Sequence, residues 1–315
     1  MRGLELCEAF YREYGEPLFE KEFKEQMPYL AFGLVGSGSE SYGYDDEISK
    51  DHDFEAGFCI FLPEEDVIDR RTAFLLERAY ARLPREYRGI KRSLLSPVGG
   101  NRHGVLRLSD FLTEKLGARD GELKTEAWLS IPEHYLCEVT NGKLFRDDSR
   151  VFTALRARLA HMPNDVRCKR LAGHLLLADQ AGPYNYTRCL AHGEEGAAQI
   201  ALFHFVEHMT ASVFLLNRRY RPYYKWQMRA LRALPRLSEL ADIFDFLLST
   251  PNDEKTAREK AGIVSDSVAL LIKELKEEGL SDGESPDLTA HAYAVNAKIF
   301  DPILRNRHIL CAVSS

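Results

Sequence analysis

The sequence lacks any run of apolar residues close to the ~18 that a membrane-spanning helix requires. Acidic residues near the start interrupt the apolar stretch that a secretory signal would need. Six cysteines are scattered along the chain, with neither a CxxC pair nor the close spacings of a disulfide framework. We therefore expect a cytoplasmic protein with reduced thiols and no membrane partner.

An excess of basic residues is also absent. The chain has 42 Lys and Arg against 48 Asp and Glu, a formal net charge of −6. A protein dedicated to binding nucleic acid would normally carry a basic patch, so this balance disfavours that class. No internal repeat or heptad seam indicates a solenoid or a coiled coil. With 315 residues, 45% of them hydrophobic, the chain can form one large domain or two ordinary ones.

Strands and helices alternate in the first half. Residues 4–25 have apolar side chains at helical spacing, which predicts one helix, or two with a break near Gly15-Pro17. The stretch YLAFGLVGSGS predicts a buried strand running into a glycine turn, and DHDFEAGFCIFLP predicts a second strand that starts at Asp51. Residues 64–82 look helical, and a third strand from His103 should lead into a helix. Residues 1–150 therefore predict an α/β or α+β domain.

The second half has a different pattern. Long segments with helical periodicity follow one another, separated by Gly- and Pro-containing connections such as STPND and SDGESPD. We predict that residues 151–315 form an all-α helical bundle.

Two aspartates and a glycine turn suggest a metal and phosphate site. In an extended strand Asp51 and Asp53 would face the same side, where two like charges about 5 Å apart cost about 3 kcal/mol at an effective dielectric near 20. Mg²⁺ or Mn²⁺ would relieve this repulsion, and glycine backbone can approach phosphate oxygens closely. The alternative is an acidic strand that discourages aggregation. The nearby Asp45, Asp46 and Glu47 are more typical of a solvated loop.

Gly38-Ser39, eleven further residues and then Asp51-His52-Asp53 resemble the signature of the polymerase-beta-type nucleotidyltransferase superfamily. Gly43 matches a further glycine of its aminoglycoside nucleotidyltransferase branch, and Gly36-Ser37 also fits the permitted spacing. The stretch GSGSESYGYDDEISKDHDF is similar to the corresponding sequence of an uncharacterised bacterial group of nucleotidyltransferase-like proteins. This likeness extends to WLSIPEHYLCEVTNGKLFRDD, AGPYNYTRCLAHGE, LLNRRYRPYYKW and IFDPILR, and so covers most of the chain from about residue 30.

The resemblance implies an α+β fold with a small mixed sheet flanked by helices, followed by a helical domain that closes over a nucleotide. It implies that Asp51 and Asp53 hold Mg²⁺ on the triphosphate of ATP or another nucleoside triphosphate, with Gly38, Ser39 and Gly43 at the phosphates. A third carboxylate is usual in the superfamily. Asp110, after the third predicted strand, is the candidate for that catalytic role, and a helix N-cap is its alternative.

Polar insertions in the helical half are candidate nucleotide contacts. The sequence pattern predicts that Tyr184, Asn185 and Arg188 lie in a connection between two apolar helices. There they would form either a wall that faces a ligand or a loop stabilised by its own polar contacts. Lys225 follows several aromatic residues and offers a charge to the triphosphate. Related nucleotidyltransferases resemble this arrangement in using a lysine from the helical domain. Its alternative is a solvated lysine at a helix end.

A competing motif, His204 to His208, matches the inverted zinc-protease pattern HxxEH. Glu284 is the downstream acid available as a third ligand, but it lies in a turn, and a structural role for both histidines is the favoured alternative.

Taken together, the sequence predicts a Mg²⁺-dependent nucleotidyltransferase that moves a nucleoside monophosphate, AMP from ATP, onto a hydroxyl group and releases pyrophosphate. The negative net charge favours a small-molecule acceptor over RNA or protein. The alternative is a catalytically silent nucleotide- or partner-binding module that keeps the aspartates.

Overall fold

The computed structural model of the chain describes residues 2–46, 55–92 and 103–313. The chain divides into two compact units. Unit 1 comprises Met1–Ala127 and Ile131–His161, and unit 2 comprises Trp128–Ser130 and Met162–Ser315. The predicted α+β class is confirmed: a small mixed sheet is flanked by helices, and a helical region follows it.

Unit 1 contains the strands. They are β1 Ala31–Leu34, β2 Cys59–Leu62, β3 Glu86–Tyr87, β4 Ile90–Lys91, β5 Gly104–Arg107 and β6 Lys143–Asp147. Its helices are α1 Gly3–Phe10, α2 Glu16–Glu22, α3 Ser39–Tyr42, α4 Arg70–Ala81, α5 Leu108–Leu116, α6 Thr125–Ser130, α7 Glu133–Thr140 and α8 Val151–Leu159. The last three residues of α6 are assigned to unit 2.

The main sheet has the strand order β5-β2-β1-β6. β1 is antiparallel to both β2 and β6, whereas β2 and β5 are parallel. Gly33 pairs with Cys59, so the chain that leaves β1 after Leu34 returns to the neighbouring strand at that point. The glycine turn and the two aspartates of the sequence motif therefore belong to one β1–β2 connection.

The core of unit 1 is aromatic. Tyr11, Phe19, Phe32 and Phe58 are all inaccessible to solvent. The ring centre of Tyr11 lies 5.1 Å from that of Phe32 and 5.2 Å from that of Phe58, and the Phe19 and Phe32 centres are 5.7 Å apart. Of the two alternatives for residues 4–25, the structure has the uninterrupted one, because a π-helical turn, Tyr11–Gly15, joins α1 to α2 without a break. A Cβ on Gly15 would lie 2.6 Å from the ring of Phe58, so glycine permits the helix to approach the core there.

Unit 2 is helical throughout its described residues. After α6 come α9 Asn164–Asp179, α10 Thr187–Ala191, α11 Glu195–Leu216, α12 Gln227–Arg232, α13 Leu240–Ser249, α14 Glu254–Glu277, α15 Leu288–Ala297 and α16 Pro302–Asn306. A π-helical segment, Gln180–Tyr186, extends α9, and a short 3₁₀ helix, Tyr224–Trp226, precedes α12.

α11 is the one helix among the described residues with the length and apolar composition of a membrane span. However, 72% of its most apolar window is buried inside the protein. Side chains such as Leu202, Phe205 and Met209 are buried in the interior of unit 2, as is typical of a core helix.

Lys169 of α9 is a fully buried cation. Its Nζ donates hydrogen bonds to Oδ1 of Asn296 at 2.9 Å, to the carbonyl of Arg305 at 3.2 Å and to the carbonyl of Arg307 at 2.6 Å. Three acceptors match the three protons of an ammonium group, which is what makes burial of the charge tolerable. The chain near residue 306 is thereby fastened to α9.

Two local predictions need correction. β2 begins at Cys59, and residues 55–58, which the sequence predicts to belong to this strand, form no ladder with β1; the Phe58 amide donates to Tyr80 Oη at 3.1 Å instead. Asp51, the predicted start of the strand, lies outside the described residues. The stretch from Gln180 to Ala191 is not a connection but continuous helix. Pro183 cannot donate to an α-helical hydrogen bond, and the wider π-helical turn accommodates it.

Candidate functional site

The glycine turn follows β1 directly. Gly36 and Gly38 have φ angles of 107° and 114°, and Gly43 has 67°. Side-chain-bearing residues rarely adopt such angles, so each position depends on glycine. The turn leads into α3, which begins at Ser39, and Gly43 ends that helix in the left-handed conformation. Glycine at these positions leaves the backbone open to close approach, and successive amides of such a turn can form a concavity that binds an anionic group.

Asn141 holds this turn in place. Its Oδ1 accepts the Gly36 amide at 2.9 Å, and its Nδ2 donates to the Gly36 carbonyl at 2.8 Å. The amide of Gly142 donates to the carbonyl of Ser41 at 2.9 Å, so the start of the β6 segment also braces α3. A side-chain amide that satisfies both backbone groups of one residue fixes the turn more firmly than a single hydrogen bond would.

Asp51 and Asp53 lie outside the described residues, as does Glu47. The described chain resumes at Glu55, two residues after Asp53. Of the nearby acids, Asp45 accepts a hydrogen bond from the Gly3 amide at 2.8 Å through its Oδ2, which ties the loop to the start of α1.

A histidine–carboxylate pair, His103 and Glu55, lies at the β5 edge of the main sheet. Nδ1 of His103 is 2.9 Å from Oε1 of Glu55, and the two side chains are only 11% and 17% exposed. The ring of His103 covers Gly57, where a Cβ would lie 2.6 Å from the ring Cγ. His103 immediately precedes β5, the parallel neighbour of β2. Glu55 follows Asp53 by two residues in the sequence.

Asp110 lies in the first turn of α5, where Arg107 is the N-cap. The alternative assignment of Asp110 as the N-cap is therefore wrong. Its side chain is 68% exposed, and its Oδ1 lies 3.9 Å from Nη1 of Arg119. β5 itself, Gly104–Arg107, carries no carboxylate.

In unit 2, the predicted nucleotide contacts lie on the helical extension of α9 and on α10. Tyr184 and Arg188 are both exposed, and the Arg188 guanidinium lies 5.1 Å from the centre of the Tyr184 ring. Asn185 between them is half-buried. Gly182 is the site of close helix packing, because a Cβ there would lie 2.3 Å from the Phe205 ring.

Lys225 is exposed in the 3₁₀ helix before α12, with its Nζ 5.1 Å from the centre of the Trp226 ring. The rings of Tyr223 and Tyr224 are 4.4 Å apart beside it. An exposed cation flanked by aromatic rings can contact a phosphate and a base, although the same arrangement also occurs on unliganded surfaces.

A family model described as "Domain of unknown function (DUF4037)" matches residues 128–227. The matched segment contains Tyr184, Asn185, Arg188 and Lys225. It does not include the glycine turn, which precedes residue 128. No curated protein matches the chain. No solved structure matches it either.

A histidine cluster in unit 2 contains one residue that sequence spacing could not reveal. His204, Glu207 and His208 of α11 have ligand atoms within 4.8 Å of one another. His174 of α9 joins them, with its Nδ1 3.1 Å from Nδ1 of His208. Burial lowers the pKa of His208 to about 4 and that of His174 well below its usual value, and the Arg221 cation adds to both shifts.

Glu284, the expected third partner of the HxxEH motif, lies elsewhere in unit 2. Its side chain is 91% exposed and forms an ion pair with Lys276 at 3.0 Å. The His204 side chain is 48% exposed, whereas His208 is buried. Sequence reasoning also passed over Glu55 and Asn141. The alternation Asp51, Asp53, Glu55 is the one signal that could have identified Glu55.

Proposed function

We propose that the protein is a nucleotidyltransferase that transfers a nucleoside monophosphate from a nucleoside triphosphate, with ATP as donor, to a hydroxyl group. The observation that supports this most is the glycine turn after β1, with three positive-φ glycines and the double hydrogen bond to Asn141. It belongs to the same β1–β2 connection as Asp51 and Asp53. A turn that can hold phosphate, followed in the same connection by two carboxylates, provides the groups that metal-assisted phosphoryl transfer uses.

In this proposal the amides of the turn, with Ser39, hold the β- and γ-phosphates. Asp51 and Asp53 would hold Mg²⁺ or Mn²⁺, which neutralises charge on the departing pyrophosphate. Within unit 2, Lys225 and Arg188 are candidate cations for a nucleotide, and Tyr184 and Asn185 are candidate base- or ribose-facing groups.

Proton removal from the acceptor hydroxyl needs a base. β5 carries no carboxylate, and Asp110 is exposed beside Arg119. His103 is better suited, because Glu55, two residues after Asp53 in the sequence, orients its ring at the end of the sheet. A carboxylate that binds one ring nitrogen fixes the tautomer and leaves the other nitrogen to accept a proton.

We place the protein in the cytoplasm, with a small-molecule acceptor. The net charge of −6 is the reason for preferring a small-molecule acceptor, since net negative charge disfavours RNA. A silent nucleotide-binding module is the second candidate. It is favoured by the exposed position of Asp110, the expected third acid.

The decisive experiment measures Mg²⁺-dependent ATP binding and pyrophosphate release with a mixed panel of hydroxyl acceptors. Wild type should bind ATP only with Mg²⁺ or Mn²⁺ and should release pyrophosphate with some acceptors. Asp51→Asn and Asp53→Asn should lose metal-dependent binding while circular dichroism stays unchanged. Asp66→Asn, a change of another acid in unit 1, is the matched control. Unchanged ATP affinity in both aspartate variants would reject the proposal, and metal-dependent binding without turnover would select the silent module.

A further inference from the structure

Three potential metal ligands lie on one face of α11, at the border between its exposed and buried sides. His204 and Glu207 are 48% and 40% exposed, and Nδ1 of His204 lies 3.6 Å from Oε2 of Glu207. His208 is one helical turn beyond His204 and is largely buried. Residues three and four apart share a helix face, which is why the ligand atoms of all three lie within 4.8 Å of one another.

These separations are close to those of a zinc site. Zn–N bonds of about 2.0–2.1 Å in a tetrahedron place ligand atoms about 3.3 Å apart. The side chains of His204 and Glu207 are partly exposed, and rotation about their χ angles would bring the ligand atoms closer than 4.8 Å.

His174 supplies the support that such a site needs. Its Nδ1 lies 3.1 Å from Nδ1 of His208, and only 6% of the residue is exposed. Because this contact occupies Nδ1 of His208, Nε2 is the ring nitrogen left to bind a ligand. Histidines that bind metals commonly use their second nitrogen in this way, and the partner fixes the ring orientation.

The charge around the cluster is mixed. Arg221 donates from Nη1 to the backbone carbonyl of Glu207 at 3.3 Å, so a cation already lies nearby. The Glu207 carboxylate offsets it, which makes Glu207 necessary to the charge balance as well as a ligand.

We propose that His204, Glu207 and His208 form a binding site for Zn²⁺ or a similar transition-metal ion, with His174 as the positioning residue. Two imidazoles and one carboxylate favour zinc, cobalt, nickel or copper over Mg²⁺. The site is therefore chemically distinct from the magnesium site of the proposed nucleotidyltransferase. Three protein ligands leave a fourth position for water or an exogenous ligand.

The test uses the full chain, stripped of metal with a chelator and titrated with Zn²⁺ by calorimetry and with Co²⁺ by visible absorption. Wild type should bind one equivalent saturably, and a tenfold molar excess of Mg²⁺ should not displace Zn²⁺. His204→Ala and Glu207→Gln should each weaken binding at least tenfold. Both side chains are substantially exposed, so the fold should be retained, and His192→Ala at an exposed position is the matched control.

His174→Gln separates positioning from ligation. We expect about tenfold weaker Zn²⁺ binding, the lower end of what loss of such a partner costs, with the Co²⁺ absorption bands unchanged in position. Loss or displacement of those bands would overturn the positioning role and make His174 a direct ligand. Absence of saturable Zn²⁺ binding, or equal binding by wild type and His204→Ala, would overturn the site itself. Mg²⁺-dependent ATP binding should be unaffected in His204→Ala, so failure of one proposal is distinguishable from failure of the other.

Discussion

Nδ1 of His103 lies 2.9 Å from Oε1 of Glu55, in a part of the sheet edge where both side chains are largely shielded from water. The two residues are far apart in sequence and meet because β5 runs parallel to β2. A shielded carboxylate that binds one imidazole nitrogen fixes the orientation of the ring.

The first prediction concerns this pair. His103→Gln and Glu55→Gln should lower acceptor-dependent pyrophosphate release, His103→Gln by about 10²–10⁴-fold, the usual contribution of a general base. Metal-dependent ATP affinity should remain close to wild type, because neither residue contacts the phosphates in the proposal. Parallel turnover and ATP titrations measure both quantities, and His192→Ala serves as the control. Full turnover in His103→Gln would show that the base is another group.

The second prediction concerns Asn141. Asn141→Ala removes both hydrogen bonds to Gly36 and leaves two backbone groups without their partner, so unfolding in urea should become easier by about 1–3 kcal/mol. ATP affinity should fall as well, because the phosphate-holding turn loses its support. Asn306→Ala, at an exposed position in unit 2, is the control. Loss of stability with undiminished ATP affinity would separate the turn from nucleotide binding.

A pair of glycines in unit 2 gives opposite expectations. Gly182→Ala should destabilise the protein by about 1–3 kcal/mol, because its Cβ would meet the Phe205 ring at 2.3 Å. Gly262→Ala in α14 should stabilise it by about 0.5–1 kcal/mol, since no atom lies within 4 Å of the added methyl. Thermal and urea unfolding of both variants measure the difference. Equal effects would contradict the close packing of α11 against the π-helical segment.

The fourth prediction is a loss of stability at high pH. Burial raises the pKa of Cys7 and of Cys59 from 9.0 to about 12. Below pH 9 both states keep the thiol protons, but between about 9 and 12 the unfolded chain loses them while the folded chain does not. The free energy of unfolding should therefore fall with rising pH in this window, by about 1.4 kcal/mol per pH unit for each thiol.

Cys59→Ala tests this contribution. The slope of the unfolding free energy between pH 9.5 and 11, from urea titrations, should become less steep by about 1.4 kcal/mol per unit. Cys311→Ala, at an exposed cysteine, should leave the slope as in wild type. Identical slopes for all three proteins would mean that the buried thiol does ionise in the folded state.

Sequence reasoning succeeded where local patterns decide the structure. The buried strand before the glycine turn became β1, and the strand from His103 became β5 followed by α5. It failed where tertiary contacts override the pattern. Residues 55–58 alternate like a strand, but Glu55 binds His103 and the Phe58 amide binds Tyr80.

The candidate sites show the same limit. Glycines at Gly36, Gly38 and Gly43 were visible because a turn depends on residue type at fixed positions. Asn141 and His174 were not, because each acts on a residue many positions away, and spacing carries no information about contacts made by folding. Pro183 and Gly182 indicated a connection, whereas the helix passes through both with a widened turn.

The buried ammonium of Lys169 also bears on the order in which unit 2 forms during synthesis. Two of its acceptors are the carbonyls of Arg305 and Arg307, which leave the ribosome long after α9. Until then the charge must stay hydrated, so α9 cannot settle into its final surroundings. Completion of unit 2 therefore waits for almost the whole chain, and a nascent polypeptide stalled before residue 305 would keep this helix exposed to chaperones.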